Sequence, residues 1–160
     1  LDPVMVAKGG TKLIDNEAVK FLKKNLIHKV SLITPNIPEA EILTGLKIKD
    51  ISDMKQAARA IIDLGASKVI LKGGHLQKSI LIDLLMDNES IHTIETNKIV
   101  TNDTHGTGCT MASALSAFLA KSQPIEVAFQ SAHSYVNKAI KTAPKFGKGN
   151  GPINHCHKII

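Results

Sequence analysis

Thr101-Asn102-Asp103-Thr104-His105-Gly106-Thr107-Gly108-Cys109-Thr110 is the stretch on which the reading of this 160-residue chain turns. A Gly-Thr-Gly turn runs straight into a small-residue helical segment, Thr107 to Lys121, whose first turns carry Met111, Ala112, Ala114 and Leu115. Glycine lets a backbone pass close to a ligand, and the N–H groups at a helix start attract anions. A phosphate oxygen gathering charge during transfer would be stabilised there. Cys109 would lie in the positive end of that helix, where thiolate is favoured. The spacing is not that of a P-loop, because no Gly-Lys-Ser/Thr follows. Alone, the stretch also suits a tight loop over a buried cysteine.

Outward from it, the chain alternates strand and helix patterns. Val4 to Val6 reads as the end of a buried strand. Asn16 to Leu26 has Ala18, Val19, Leu22 and Leu26 near helical spacing, with Asp15 as N-cap. Val30 to Thr34 is a short β-branched run stopped by Pro35, and Pro38 to Leu43 suits a helix opened by proline and ended by Gly45. Ser52 is placed to cap a further helix, with Met54, Ala57, Ala58, Ile61, Ile62 and Leu64 on one face before Gly65. Lys68 to Lys72 is a second compact strand ended by Gly73-Gly74. Ser79–Met86 and Ser90–Thr96 flank the turn Asp87-Asn88-Glu89 as an antiparallel hairpin. Pro124 opens a last long helix to about Ala143, and Gly147 to Ile160 is loop-like. Without repeats or a linker, residues 1–160 read as one α/β unit with a mostly parallel sheet.

Composition bounds the function. Hydrophobic residues make up 43% of the chain and charged residues 21%, the balance of a folded protein, and no apolar run nears the roughly 20 residues a membrane helix needs. The net charge of +6 raises nucleic acid as a partner. Basic residues are spread along the chain, however, and the densest group (Lys20, Lys23 and Lys24) lies on a helix surface. With one Tyr, four Phe and no Trp there is no stacking platform, so solvated faces and attraction for small anions are expected instead. Cys109 and Cys156 cannot build a disulfide framework, which points to a reducing, cytoplasmic setting. The opening Leu1-Asp2-Pro3-Val4-Met5-Val6 has neither an initiator Met nor a signal-peptide pattern and reads as the middle of a strand.

Other residues carry chemistry with a plainer alternative beside it. Asn36 and Glu39, just after a strand, could hold Mg²⁺ through water; equally, Asn36 could cap the following helix while Glu39 complements its dipole. Lys72, at the carboxyl end of a buried strand, could meet nucleotide phosphates or stand as a surface lysine. Asp2 could organise metal or acceptor, or form a turn before Pro3. His155-Cys156-His157 is too close-packed in sequence for three zinc ligands. His105 lines the glycine loop without a proton-transfer role.

The segment from Asp103 to Thr110 resembles the anion-hole motif of hydroxymethylpyrimidine/phosphomethylpyrimidine kinases, of the ribokinase-like superfamily. Further matches follow in chain order: Leu1 to Lys8 is similar to that family's strand-end motif, and Thr34-Pro35-Asn36 with Pro38-Glu39-Ala40-Glu41 to its Asn-x-x-Glu segment. Lys72-Gly73-Gly74-His75 resembles its nucleotide-side strand end, and Gly149-Asn150-Gly151-Pro152 its Gly-x-Gly-Pro close. The resemblance implies a three-layer α/β/α fold with a mostly parallel sheet, and phosphorylation of hydroxymethylpyrimidine and its monophosphate with ATP and Mg²⁺ in thiamine biosynthesis. It implies that Gly106, Thr107 and Gly108 shape the anion hole. Lys72, Gly74, Thr104, Gly106 and Gly108 would contact nucleotide, and Asn36, Glu39 and Asp2 would serve the metal. Cys109 takes the place of the aspartate base of related sugar kinases. Pyridoxal kinase is the alternative activity within the superfamily, and a non-catalytic nucleotide-binding remnant the alternative class.

Two departures stand against the resemblance. Lys8-Gly9-Gly10 replaces the usual Lys-Ser-Gly, and the family's amino-terminal part, with several strands and most pyrimidine contacts, is absent. The expectation is therefore the nucleotide-binding and phosphoryl-transfer part of a kinase. It would be joined by a separate amino-terminal half or would self-associate through an exposed sheet edge.

Overall fold

Helix starts follow side-chain caps. The structure, a computed structural model, describes residues 1–7, 10–74, 76 and 79–157; Lys8, Gly9 and His75, used above, lie outside these. Helix α1 (Asn16–Asn25) begins where Asp15 accepts from the Ala18 N–H at 2.7 Å. Helix α2 (Ile37–Thr44) is capped by Asn36 and ends at Gly45 in the left-handed conformation. Helix α3 (Ile51–Asp63) buries Met54, Ala57, Ala58, Ile61 and Ile62, the face its periodicity predicts. Its cap is Asp50 rather than Ser52. Asp50 accepts from the Asp53 N–H at 3.0 Å while Asp53 accepts from the Lys49 N–H at 2.9 Å, a reciprocal arrangement that a serine already inside the helix cannot make.

The regular sheet has the order β1 (Val69–Leu71), β2 (Ile80–Met86), β3 (Ile91–Asn97) and is antiparallel throughout. The expected hairpin is present, with Met86 opposite Ile91 and Ile80 opposite Asn97. Its turn takes in Ser90: the Asp87 carboxylate accepts from the N–H groups of Glu89 and Ser90, which hold it below the usual carboxylate range. A mostly parallel sheet is not what these strands make. Parallel pairing occurs as isolated bridges, Ile33 to Val69 and Asn36 to Lys72, and Val6 is bridged antiparallel to Lys12. Pro35 offers no N–H and α2 starts at once after it, so the run from Val30 has no length in which to extend a ladder. Single hydrogen bonds nevertheless align the segments: Thr34 N–H to Leu1 carbonyl (2.9 Å), Ile70 N–H to Ile33 carbonyl (2.9 Å), Lys72 N–H to Pro35 carbonyl (2.9 Å).

The chain forms two compact units, Leu1–Lys98 and Ile99–Ile160. The first is cored by Ile33, Val69, Leu71, Leu84 and Met86 packed with the buried faces of α2 and α3. In the second, α4 (Thr107–Ala120) packs on α5 (Ile125–Lys141), burying Met111 and Leu115 with Ala128, Phe129, Ala132 and Ala139. Full burial of a side chain such as Phe129 contributes about 1.5–3 kcal/mol. Among the described residues, no helix is long and apolar enough to cross a membrane.

Candidate active site

In the first unit the aligned segments gather polar side chains at one place. Asp2 follows Leu1, Thr34 and Asn36 flank Pro35, and Lys72 follows β1. Lys72 Nζ lies 3.1 Å from Asp2 Oδ1, and the Thr34 hydroxyl donates to the same oxygen at 3.3 Å. Only 14% and 15% of the Lys72 and Asp2 side chains are exposed, so water screens this pair weakly. Asp2 Oδ2 is buried and, among the described residues, has no hydrogen-bond partner.

Glu39 joins them from α2. It is 3% exposed, and its Oε2 accepts from the Asn36 N–H at 2.8 Å while Asn36 Oδ1 accepts from the Glu39 N–H at 3.0 Å. This capping box is the structural alternative weighed for Asn36, and it occupies that side-chain oxygen. Burial pushes the Glu39 carboxyl above its ordinary value; the Asn36 N–H and then the Lys72 charge work against that push. Mg²⁺ is held by one or two carboxylates together with waters and substrate phosphates. Two neighbouring acids, one with an orphaned buried oxygen, fit that donor set. Among the described residues, no group of three or more His, Cys, Asp and Glu forms a closed metal shell. Gly74 stands exposed beyond Lys72, and the Gly73 N–H between them donates to Asp83 Oδ1 at 2.8 Å.

The second unit holds the glycine loop. Gly106 sits in the left-handed region (φ 87°), which turns the chain into α4 at a position few other residues tolerate. Gly106, the N-cap residue of α4, has no side chain with which to cap the helix start. Thr107 donates its hydroxyl to the Thr104 carbonyl (3.1 Å), and Cys109 is exposed on the first turn. The loop therefore presents an uncapped positive helix end with an accessible thiol beside it. The buried-cysteine alternative does not describe it.

Contacts that sequence reading did not assign hold this loop. The His105 N–H donates to the Gly151 carbonyl at 3.0 Å, and His105 bridges Pro152 in parallel. A Cβ at Gly151 would collide with Asp103 Oδ1. Thr110, buried next to Cys109, bonds His155 Nε2 at 2.9 Å, and the Tyr135 hydroxyl donates to the His155 carbonyl at 2.7 Å. The Gly-x-Gly-Pro tail was the available signal for part of this; nothing local marked the pairing of Thr110 with His155 or the place of Tyr135.

Comparison with known proteins gives the context. The phosphomethylpyrimidine kinase family model matches residues 1–154. The chain is 48% identical to a thiamine biosynthesis bifunctional protein of Geobacter sulfurreducens, over 97% of this chain and 32% of that protein. It is 46% identical to a hydroxymethylpyrimidine/phosphomethylpyrimidine kinase of Bacillus subtilis, over 97% of this chain and 58% of the relative. It thus spans no more than 58% of the length of these relatives. The structure of the Staphylococcus aureus pyridoxal kinase in complex with ADP is similar at a TM-score of 0.90 and 38% identity, covering 98% of this chain and 57% of the other.

Proposed function

Because this chain belongs to the phosphomethylpyrimidine kinase family, we propose that it carries the phosphoryl-transfer part of a kinase for hydroxymethylpyrimidine and its monophosphate. The reading makes both compact units parts of one ribokinase-like domain, acting with ATP in a cytoplasmic thiamine pathway. The observation that carries it is the match along residues 1–154, which includes every residue assigned a role. The isolated parallel bridges at Ile33 and Asn36 support an α/β/α layering around a mostly parallel sheet.

Each residue then has a task. The N–H groups at the start of α4, with Gly106 and Gly108, stabilise charge on the phosphoryl oxygens, and Thr107 and Thr104 hold the loop's shape. Lys72 and the exposed backbone at Gly74 receive nucleotide phosphates. Asp2 and Glu39, with Asn36 through water, would hold Mg²⁺, which would supply neutralisation of phosphate charge. In the first reaction the Cys109 thiolate takes the hydroxymethyl proton. The substrate oxygen bonds to the γ-phosphorus as the bond to the β–γ bridging oxygen breaks, releasing ADP. In the second reaction the acceptor is an already ionised phosphate, and Cys109 serves only to shape the anion hole.

Pyridoxal phosphorylation is the second reading, favoured by the likeness to the Staphylococcus aureus enzyme, but the identities of 46–48% to thiamine-pathway relatives exceed the 38% found there. The test is ATP-dependent phosphorylation of hydroxymethylpyrimidine, its monophosphate and pyridoxal by the 160-residue chain. It is run alone and with a separately supplied amino-terminal half of a relative. Turnover of the pyrimidines is expected with the added half. Preference for pyridoxal would replace the proposal, and full turnover by the chain alone would remove the need for a partner half or for self-association.

A further inference from the structure

The Lys72–Asp2 ion pair joins the residue assigned to nucleotide phosphates to a residue assigned to the metal. Lys72 Nζ lies 3.1 Å from Asp2 Oδ1 across a sequence separation of 70, with both side chains largely buried. The other oxygen of Asp2 is buried and finds no partner among the described residues. Glu39 Oε2 accepts from the Asn36 N–H, and Glu39 interacts electrostatically with both Lys72 and Asp2. A single ammonium cannot give its full charge to Asp2 and to an incoming phosphate together, nor can Asp2 give its full charge to Lys72 and to a divalent cation.

We propose that the Lys72–Asp2 pair is a latch that nucleotide opens: a phosphate draws Lys72 away, and the freed Asp2 carboxylate then accepts Mg²⁺. The proposal rests on the reading of Lys72 and Asp2 given above. It adds an order of binding, nucleotide before cation, and a mutual inhibition of the two residues in the empty protein. Until phosphate arrives, Lys72 occupies the acid, which keeps the divalent cation weakly held. Linkage demands that the same competition weaken metal-free nucleotide binding.

The competition makes opposite predictions for its two members. Removing the charge of Asp2 (Asp2→Asn) should strengthen binding of ADP in the presence of EDTA by about three- to tenfold. Removing the charge of Lys72 (Lys72→Met) should weaken ADP by at least as much. In the absence of nucleotide it should strengthen Mn²⁺ binding, read by electron paramagnetic resonance, by a similar factor. The double variant should bind ADP as Lys72→Met does, since the Asp2 effect passes through Lys72. Titration calorimetry on the 160-residue chain measures the ADP arm, and circular dichroism reports whether each variant is folded. If Asp2→Asn does not fold, Lys72→Met in the Mn²⁺ arm still decides the matter. Unchanged or weaker ADP binding by folded Asp2→Asn, or unchanged Mn²⁺ binding by Lys72→Met, overturns the latch. ADP binding that ignores Lys72→Met, or no ADP binding by the parent chain, overturns the nucleotide reading itself and the latch with it.

Discussion

Cys109 occupies the third helical position of α4, at an uncapped positive end, and is exposed to an incoming alcohol. If it acts as a base, its worth differs between the two phosphorylations. Cys109→Ala should lower kcat for hydroxymethylpyrimidine by about 10²–10⁴-fold and for the monophosphate by less than about tenfold. Equal losses in the two steady-state turnover numbers would sink the base assignment. Glu39 poses a stability question instead. Burial raises its carboxyl pKa above the ordinary 4.5, so the folded chain holds that proton more tightly than the unfolded chain. The stability this contributes is complete below the unfolded value and is lost as pH rises through the folded one. Glu39→Gln removes that slope while its side-chain carbonyl can still accept the Asn36 N–H. The melting temperature of the variant should therefore gain on the parent as pH rises above 4.5. A difference that stays constant across that range would show that burial does not raise the Glu39 carboxyl's hold on its proton.

Caps and turns account for most of the elements, and they separate what was legible in the chain from what was not. Asp15 at α1 and Gly45 at the end of α2 act as their residue types predict, because a cap bonds within a few residues of itself. At α3 the cap is Asp50, two residues before the expected Ser52, and the bonds made by Asp50 and Asp53 place it there. Asp50→Ala should cost about 1 kcal/mol and Ser52→Ala under about 0.5 kcal/mol in urea unfolding. Equal costs would return the cap to Ser52. The regular strands differ from the expected parallel pairing for a related reason. Alternating helices and strands suggest parallel crossovers, but Pro35 cuts one partner short and leaves isolated parallel bridges, while β2 of the hairpin pairs antiparallel with β1.

For the molecule as a whole, a net charge of +6 without a basic stripe or aromatic platform predicts weak, unselective attraction for polyanions. Fluorescence anisotropy with single- and double-stranded DNA should show binding that is lost by about 0.15 M salt and independent of sequence. Tight, sequence-dependent binding at that salt would contradict it. The same long-range view explains the division between sequence and structure. The chain alone determined the helix faces, most caps, the hairpin and the glycine turn into α4, because each depends on residues a few positions apart. It also identified Asn36, Glu39, Lys72 and Cys109 as candidates by residue type and motif. Only the tertiary structure decided that Lys72 pairs with Asp2, 70 positions away, and that Gly151 leaves the space Asp103 fills. Such contacts are set by how buried segments align across each core, a sum over many side chains that no local pattern encodes.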